Sequence, residues 1–452
     1  MTEVDLLSHA LCRQVLGWAE EAARSLGIRD VELHMGAESS ALTRFANNTI
    51  HQNVASRGVA LSVRTAIDGR TARASTNRLA REDVRRAVEQ AAALTRAAEL
   101  DPHLPDMLGP QEVQDAPRWF ASTASCTPAE RAHAVKSAID EAEREGQIAA
   151  GIFSTGESVT AVLNSRGLFC YHAETDAVFS MTAMAADSSG WAKRSACDLG
   201  ELDLASLAAS ATSKAKLSSA PVVIDPGRYR VVLEHAAVLD LVGQIFSDFS
   251  ATAIEEQRSF LTEKLGRQLF GENISIVDDC HHPMQHGAPF DGEGMPRKSL
   301  ALIDRGAVRE VACGRSAGLR TGAPPTGHGL PLPNEAGEMA GNIVMSGGEE
   351  SVESLVAGMD RGILVTRLWY IREVDPAAKH MTGMTRDGTF LVEDGRVVRG
   401  LRNFRFNQSV VDLLNSVEAM SASRRTSGEE AFDMVVPAMR AANFHFSEVT
   451  RF

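Results

Sequence analysis

Two clusters of potential metal ligands and one pair of acids are the places in this sequence where chemistry could occur. The first cluster is Glu234-His235, with Asp240 later in the same apolar segment. A catalytic zinc ion needs two histidines on one helix face, a third ligand and a general base. Because only Asp240 follows within a turn or so, the simpler interpretation is a histidine at a helix start, next to a glutamate that favours the positive end of the helix dipole.

The second cluster is Cys280-His281-His282 with His286. Thiol and imidazole groups are ligands for zinc and nickel. Pro283 and Gly287 place the cluster in a loop, however, and the pattern fixes no further ligand beside it. One alternative hypothesis therefore combines both clusters in a single metal site, formed by His235, Asp240, Cys280, His282 and His286.

Two further segments have a functional and a structural interpretation. Asp291 and Glu293 lie in a glycine-rich turn, where paired acids could transfer protons or bind a cation, or simply accept hydrogen bonds from backbone amides. The run Ile363, Leu364, Val365 and Thr366 has the composition of a buried strand. It is our candidate for a strand that lines a cleft and pairs with an extended peptide, although a core strand alone is the simpler interpretation.

Strong catalytic signatures are absent from the sequence. It has no phosphate-binding GxxxxGK[ST] loop and no GxGxxG that opens a helix after a strand. No histidine is followed directly by glutamate, which excludes HExxH and its longer-spaced relatives.

Composition excludes several classes of protein. The 46 basic and 59 acidic residues give a net charge of −13, which argues against nucleic-acid binding. The six cysteines form no CxxC pair and are typical of reduced core residues in a cytosolic protein. We find no signal peptide and no apolar run long enough to span a membrane, so we expect a cytoplasmic protein.

The pattern of elements predicts an α+β chain in three parts. Residues 1–100 read as helix, strands and helix, and residues 101–220 repeat this order after a proline-rich linker. Residues 221–452 are mostly β. Predicted elements include strands at 31–35, 41–45, 50–54 and 59–66, a capped helix from Thr127 to about Glu145, a helix at 234–246, a long loop at 313–341 and a helix at 409–420.

The chain resembles the TldD/TldE family, whose TldE members are also called PmbA and were described as modulators of DNA gyrase. The segments that carry the resemblance follow in order along nearly the whole chain. They are RFANN at 44–48, IHQN at 50–53, FSA at 249–251, RSFL at 258–261, DD at 278–279, PFDGEG at 289–294, IDRG at 303–306, NIVM at 342–345, GILVT at 362–366 and FLVEDG at 390–395.

The resemblance implies a fold and a heterodimeric metallopeptidase system. The N-terminal region should be α+β in two sub-units, followed by a β-rich, barrel-like domain. A TldD-type subunit carries a His-Glu-x-x-x-His helix and a distant cysteine that bind zinc. A TldE-type subunit has the same fold without these ligands, and the two together trim unfolded peptides or leader peptides.

This sequence departs from the TldD motif in either register of the helix. In one register the three motif positions hold Glu234, His235 and Leu239. In the other, which fits the neighbouring matches better, they hold Gly243, Gln244 and Asp248. Neither set provides zinc ligands. By resemblance the chain is therefore a TldE-type subunit that has no catalytic residue and no metal of its own.

Three functional hypotheses follow. The first is a non-catalytic partner of a TldD-type zinc subunit, with peptides as substrates and no nucleic-acid or membrane partner. The second is a self-sufficient metal-dependent peptidase, and the third is a peptide-binding protein without peptidase function. For the chain alone we expect a two-fold homodimer.

Overall fold

The N-terminal half is built on one antiparallel sheet. The computed structural model describes residues 4–450. The sheet has the strand order β3-β2-β1-β4-β5-β6, so strands from both predicted N-terminal parts belong to one sheet. The elements are α1 (His9–Ser25), β1 (Asp30–Ala46), β2 (Thr49–Ile67), β3 (Arg70–Thr76), α2 (Arg81–Ala97), α3 (Ala121–Ala124), α4 (Pro128–Arg144), β4 (Ile148–Asn164), β5 (Phe169–Met184), β6 (Ser189–Ala196) and α5 (Leu204–Leu217).

The first hairpin is longer than the sequence predicts. The four short strands predicted between residues 31 and 66 are two continuous strands, β1 and β2. Asn47 and Asn48 have φ angles of 51° and 56°, which is the left-handed geometry of a tight hairpin turn. The sequence does not show that β2 is continuous, because residues 51–58 are exposed on both faces of the sheet. Such a segment lacks the alternation of apolar and polar residues that indicates a strand.

The helices cover the sheet through two apolar cores. One core joins α1 and α2 to the sheet through residues such as Val15, Val88 and Leu33. The other joins α4 and α5 to it through residues such as Ile139 and Phe179. The predicted capping box at the start of α4 is confirmed, since Glu130 N donates to Thr127 Oγ1 and Thr127 N donates to Glu130.

The C-terminal half is β-rich, as expected. Its strands are β7 (Gly227–Leu233), β8 (Ile276–Asp278), β9 (Leu300–Asp304), β10 (Ala307–Val308), β11 (Ile343–Met345), β12 (Arg361–Asp375), β13 (His380–Glu393), β14 (Arg396–Gly400), β15 (Phe404–Ser409), β16 (Val417–Met420), β17 (Arg424–Thr426), β18 (Met434–Val436) and β19 (Met439–Val449). Its helices are α6 (His235–Val242), α7 (Ala251–Glu255), α8 (Arg315–Thr321), α9 (Val352–Ala357) and α10 (Val410–Asn415).

A small barrel forms the centre of this half. β12 pairs with β7, β7 with β19, β19 with β15, β15 with β13, and β13 with β12 again, so the sheet closes on itself. Phe404, Phe406, Phe444 and Phe446 are buried in the core that these strands enclose. A second sheet, in the order β10-β9-β8-β11-β18-β17, lies beside the barrel.

Three predicted elements of this half are wrong in part. The helix predicted at 409–420 is the short α10 followed by β16, because Val417 to Met420 pair with β19. The loop predicted at 313–341 contains α8. The helix predicted at 234–246 is α6, which continues as a 3-10 helix over Gly243–Asp248. Among residues 4–450, no helix is long and apolar enough to cross a membrane.

Candidate functional site

The start of α6 holds the first register of the degenerate motif. Glu234 forms an ion pair with Lys214 at 2.6 Å. His235 is buried, and its Nε2 lies 3.3 Å from Ser421 Oγ and 3.4 Å from the carbonyl oxygen of Ala422. Burial, reinforced by the charge of Arg424, lowers the pKa of His235 to about 3. Leu239 is fully buried, so this register has a neutral histidine in the core and no second nitrogen ligand.

The second register is filled by a segment from far along the chain. We call residues 428–432 the plug segment. A Cβ atom added to Gly243 would lie 2.4 Å from Ala431 Cβ and 3.1 Å from Met434 Cε. Gly243 has a φ of −57°, which any residue can adopt. Space alone therefore excludes a side chain at the position of the motif's first histidine.

Two polar side chains of the motif helix hold the plug segment. Asp240 Oδ1 accepts hydrogen bonds at 2.9 Å from the backbone N–H groups of Glu429 and Glu430. Gln244 Nε2 donates to the carbonyl oxygens of Glu430, at 3.1 Å, and Asp240, at 2.9 Å. Burial raises the pKa of Asp240 to about 6, against the opposing effect of the two N–H groups. Gln244, at the motif's glutamate position, therefore binds backbone carbonyl groups.

The plug segment is also held from the opposite side. The Glu430 carboxylate accepts hydrogen bonds from the backbone N–H groups of Tyr370, at 2.7 Å, and Ile371, at 3.2 Å. Lys193 Nζ donates to the carbonyl oxygen of Gly428 at 2.6 Å. The segment is therefore fixed by the motif helix, the barrel and the N-terminal sheet together.

The third motif position is part of an ion pair. Asp248 Oδ2 lies 2.5 Å from Lys379 Nζ, and Asp248 Oδ1 accepts a hydrogen bond from the N–H of Phe260 at 3.0 Å. Lys379 and Asp248 are both buried. Zinc is held by imidazole, thiolate or free carboxylate groups. A glycine, an amide bound to carbonyl groups and a carboxylate paired with lysine do not fit zinc.

The alternative metal ligands are not gathered in one place. His235 and Asp240 contact Ser421 and the plug segment, as described. Cys280 and His282 lie in the loop after β8, where their carbonyl oxygens accept hydrogen bonds from Arg118. Burial raises the pKa of the Cys280 thiol to about 11, so it is protonated at neutral pH. Within residues 4–450, no group of three or more His, Cys, Asp or Glu side chains is arranged to hold a metal ion.

His286 lies instead in a groove between the two halves of the chain. The groove has a volume of about 540 Å³. The N-terminal sheet supplies its floor, and the segments that flank the plug segment supply its wall. Its charged and histidine side chains are Glu38, Glu157, Glu174, Asp176, Lys193, His286, Arg425 and Asp433. Burial and the charge of Arg425 lower the pKa of His286, which keeps it neutral.

The plug segment separates this groove from the motif helix. Ser427 and Asp433 line the groove, whereas Ala431, between them in sequence, packs on Gly243. Arg425 Nη2 lies 3.3 Å from Asp433 Oδ2, which ties the two ends of the segment together. A peptide in the groove would therefore meet Ser427 and Asp433, which flank the plug segment, rather than the motif helix.

The strand proposed for peptide pairing is already paired on both sides. Ile363, Leu364 and Val365 pair with β7 on one edge, and with β13 on the other. Thr366 is buried just beyond these pairs. Because both edges carry strands of the barrel, this segment offers no free main-chain groups to a peptide. The interpretation as a core strand is the one that agrees with the structure.

The acidic turn is built around backbone hydrogen bonds. Asp291 Oδ1 accepts from the N–H groups of Glu293 and Met295, both at 2.9 Å, and Asp291 Oδ2 accepts from Gly329 N–H at 2.8 Å. Glu293 lies 3.0 Å from Arg315. Burial raises the pKa of Glu293 to about 7, even though Arg315 opposes the shift.

The plug segment and most of the groove have no recognisable signature in the sequence. Nothing in Gly428-Glu429-Glu430 distinguishes these residues from an exposed acidic loop. Asp433 and Arg425 are adjacent to the N-terminal sheet only in the folded chain. The one available signal was Gly243 inside a helical pattern, since a glycine there indicates a close contact.

Comparison with known families agrees with this architecture. Three family models match in order: PmbA/TldA metallopeptidase domain 1 at residues 35–95, the central domain at 124–218 and the C-terminal domain at 226–448. Together they cover most of the chain. The chain belongs to the PmbA/TldD metallopeptidase family.

Solved structures of similar fold cover nearly the whole chain. The crystal structure of TldE from Thermococcus kodakarensis has a TM-score of 0.86 at 20% identity, and covers 97% of this chain and 100% of that one. A candidate modulator of a DNA gyrase from Thermotoga maritima also has a TM-score of 0.86, at 19% identity, and covers 96% of this chain and 100% of that one. At these identities the likeness concerns the fold.

Curated relatives match over shorter stretches. A metalloprotease from Methanothermobacter thermautotrophicus is 23% identical over 325 residues, which are 66% of this chain and 67% of the relative. A zinc metalloprotease TldD homolog from Saccharolobus solfataricus is 24% identical over 208 residues, which are 43% of this chain and 44% of the relative.

Proposed function

We propose that this chain is a non-catalytic, TldE-type subunit that acts with a TldD-type zinc peptidase subunit. The observation that carries the proposal is the contact between Gly243 and Ala431, because it fills the space that the motif's first histidine would need. Substitution of ligands alone could leave an empty site. Here the plug segment, which is held from three sides, fills the position. This favours a structural role for the motif helix rather than a catalytic one.

The chemistry of the remaining motif positions supports the same proposal. Gln244 donates two hydrogen bonds from its amide nitrogen to carbonyl oxygens, so its side chain stabilises the plug segment. A neutral amide, unlike the glutamate carboxylate of the motif, is not a general base. Asp248 is neutralised by Lys379. Zinc and the general base therefore belong to the partner subunit, and the substrates are unfolded peptides or leader peptides.

Co-expression with a TldD-type subunit from the same organism tests the proposal. We expect a stable complex in equal proportions that cleaves an unstructured peptide, whereas this chain alone does not. A TldD-type subunit with its motif glutamate replaced by glutamine is the matched control, and should form the same complex without cleavage.

Two outcomes would contradict the proposal. Chelator-sensitive cleavage by this chain alone, lost in His235→Ala or His282→Ala, would identify a self-sufficient peptidase. Peptide binding by this chain in the absence of any complex with a TldD-type subunit would identify a binding protein.

A further inference from the structure

A small pocket with a surplus of positive charge lies between the two halves of the chain. It has a volume of about 170 Å³. Strand β6 and helix α5 of the N-terminal half line one side, and β17 and the start of α6 line the other. Its basic side chains are Lys193, Arg194, Lys214, Arg424 and Arg425, and its acidic side chains are Asp203 and Glu234. The pocket is therefore basic within a chain whose net charge is −13.

Most of these charged groups already have partners in the protein. Glu234 is taken up by its ion pair with Lys214. Asp203 caps α5, because its Oδ1 accepts a hydrogen bond from a backbone N–H at 3.0 Å. Lys193 and Arg425 form ion pairs with acids outside the pocket. Both acids of the pocket are thus engaged and balance none of the remaining positive charge.

Two arginines of the pocket have no such partner. Within residues 4–450, the guanidinium groups of Arg194 and Arg424 take part in no hydrogen bond and no ion pair. The pocket walls exclude water and lower the pKa of Arg424, and the charge of Arg194 lowers it further, against the effect of Glu234. Besides burial, both arginines also lower the pKa of His235. The two like charges are close enough to repel each other, and a bound anion would relieve this repulsion.

The rest of the lining adds hydrogen-bond donors. Ser206 and Ser210 line the pocket from α5, and Ala236 lines it from the first turn of α6. Helix α6 begins without a side-chain cap, because Glu234 pairs with Lys214 and makes no capping hydrogen bond. The positive end of the α6 dipole therefore lies at the pocket wall, where it favours an anion.

We propose that this pocket binds a phosphate group, either as inorganic phosphate or as the phosphate monoester of a small molecule. The two negative charges of a phosphate would balance Arg194 and Arg424, and guanidinium groups match its oxygen atoms in geometry. The volume accommodates about five water-sized groups, which is the size of a phosphate. Because the two arginines belong to different halves of the chain, the bound phosphate would bridge these halves. The proposal does not rest on the role of the chain beside a TldD-type subunit.

Isothermal titration calorimetry with the full chain tests the pocket, with inorganic phosphate, methyl phosphate and acetate as probes. We expect one phosphate per chain, and at least about tenfold weaker binding of acetate, which has a single charge. Tighter binding of methyl phosphate would support a monoester as the ligand, and tighter binding of inorganic phosphate would support the free ion. Acetate bound as tightly as both phosphates would overturn the assignment to a phosphate group.

Variants of the two arginines locate the binding. Arg194→Ala and Arg424→Ala should each raise the dissociation constant for phosphate about tenfold or more, and the double variant should abolish measurable binding. Neither side chain has a partner to lose, so urea midpoints should stay unchanged and show that the variants fold. Arg399→Ala is the matched control, because Arg399 is exposed on β14 and does not line the pocket.

Two results would overturn the proposal. One is a native chain that binds neither phosphate at millimolar concentration. The other is a double variant that binds phosphate as tightly as the native chain and the Arg399→Ala control, since the bound phosphate would then lie elsewhere.

Discussion

The contact between Gly243 and Ala431 gives a quantitative test of the plug segment. In Gly243→Ala, the new Cβ would lie 2.4 Å from Ala431 Cβ. Carbon atoms pack at about 3.5–4.0 Å, so the two must separate by roughly 1 Å or more. Overpacking of this kind costs about 2 kcal/mol of the free energy of unfolding. The gain from replacing a glycine in a helical conformation, about 0.5–1 kcal/mol, offsets part of this cost.

Removal of the opposing methyl group should reverse the effect. In the Gly243→Ala/Ala431→Gly double variant, the nearest remaining atom is Met434 Cε, at 3.1 Å, which is the flexible end of a side chain and can shift by a few tenths of an ångström. Ala431→Gly alone should cost about 0.5–1 kcal/mol through greater backbone freedom in the unfolded chain. The double-mutant cycle should therefore give a coupling energy of about 2 kcal/mol in favour of the double variant.

Urea unfolding of the four proteins, followed by tryptophan fluorescence, provides the measurement. Gly17→Ala is the matched control, because a Cβ atom at Gly17 in α1 meets nothing within 4 Å. It should leave stability unchanged or raise it slightly. If Gly243→Ala behaves like Gly17→Ala and shows no coupling to Ala431→Gly, the plug segment does not occupy the motif position and the reasoning is refuted.

Two further predictions concern the buried acids of the same helix. Burial raises the pKa of Asp240 in the folded protein to about 6, so folding favours the protonated carboxyl group. The free energy of unfolding therefore falls as the pH rises from the pKa that this group has in the unfolded chain towards 6. Asp240→Asn should therefore stabilise the protein above pH 6, by up to about 3 kcal/mol, and have little effect near pH 4, as measured by urea midpoints at both pH values; equal effects at both would contradict the burial of the carboxyl group. Lys379→Met leaves Asp248 unpaired and should cost about 3 kcal/mol, whereas adding Asp248→Asn should recover part of this loss; a Lys379→Met midpoint equal to that of the native chain would show that the pair is not buried.

Local features of the fold could be predicted from the sequence because their causes lie within a few residues. The capping box at Thr127 and Glu130 fixes the start of α4 through two hydrogen bonds between neighbours. Asn47-Asn48 fixes the first hairpin turn because both residues adopt the left-handed conformation that the turn requires. The family resemblance, carried by an ordered set of segments, gave the α+β class and the barrel-like C-terminal half.

Features that depend on distant contacts could not be predicted in this way. Whether Ile363 lies at an edge or in the middle of a sheet depends on β7 and β13, which are far apart in sequence. The role of Gln244 depends on a carbonyl group of Glu430. The sequence therefore predicted that the motif is degenerate, while only the structure places a segment in its position.

The zinc content of the purified chain tests the central claim most directly. The chain is prepared once alone and once in complex with a TldD-type subunit, dialysed without chelator and measured by mass spectrometry. The proposed function predicts no retained zinc in the chain alone, and zinc in the complex in the amount of the TldD-type subunit. About one zinc ion per chain in the isolated protein, resistant to dialysis, would contradict it.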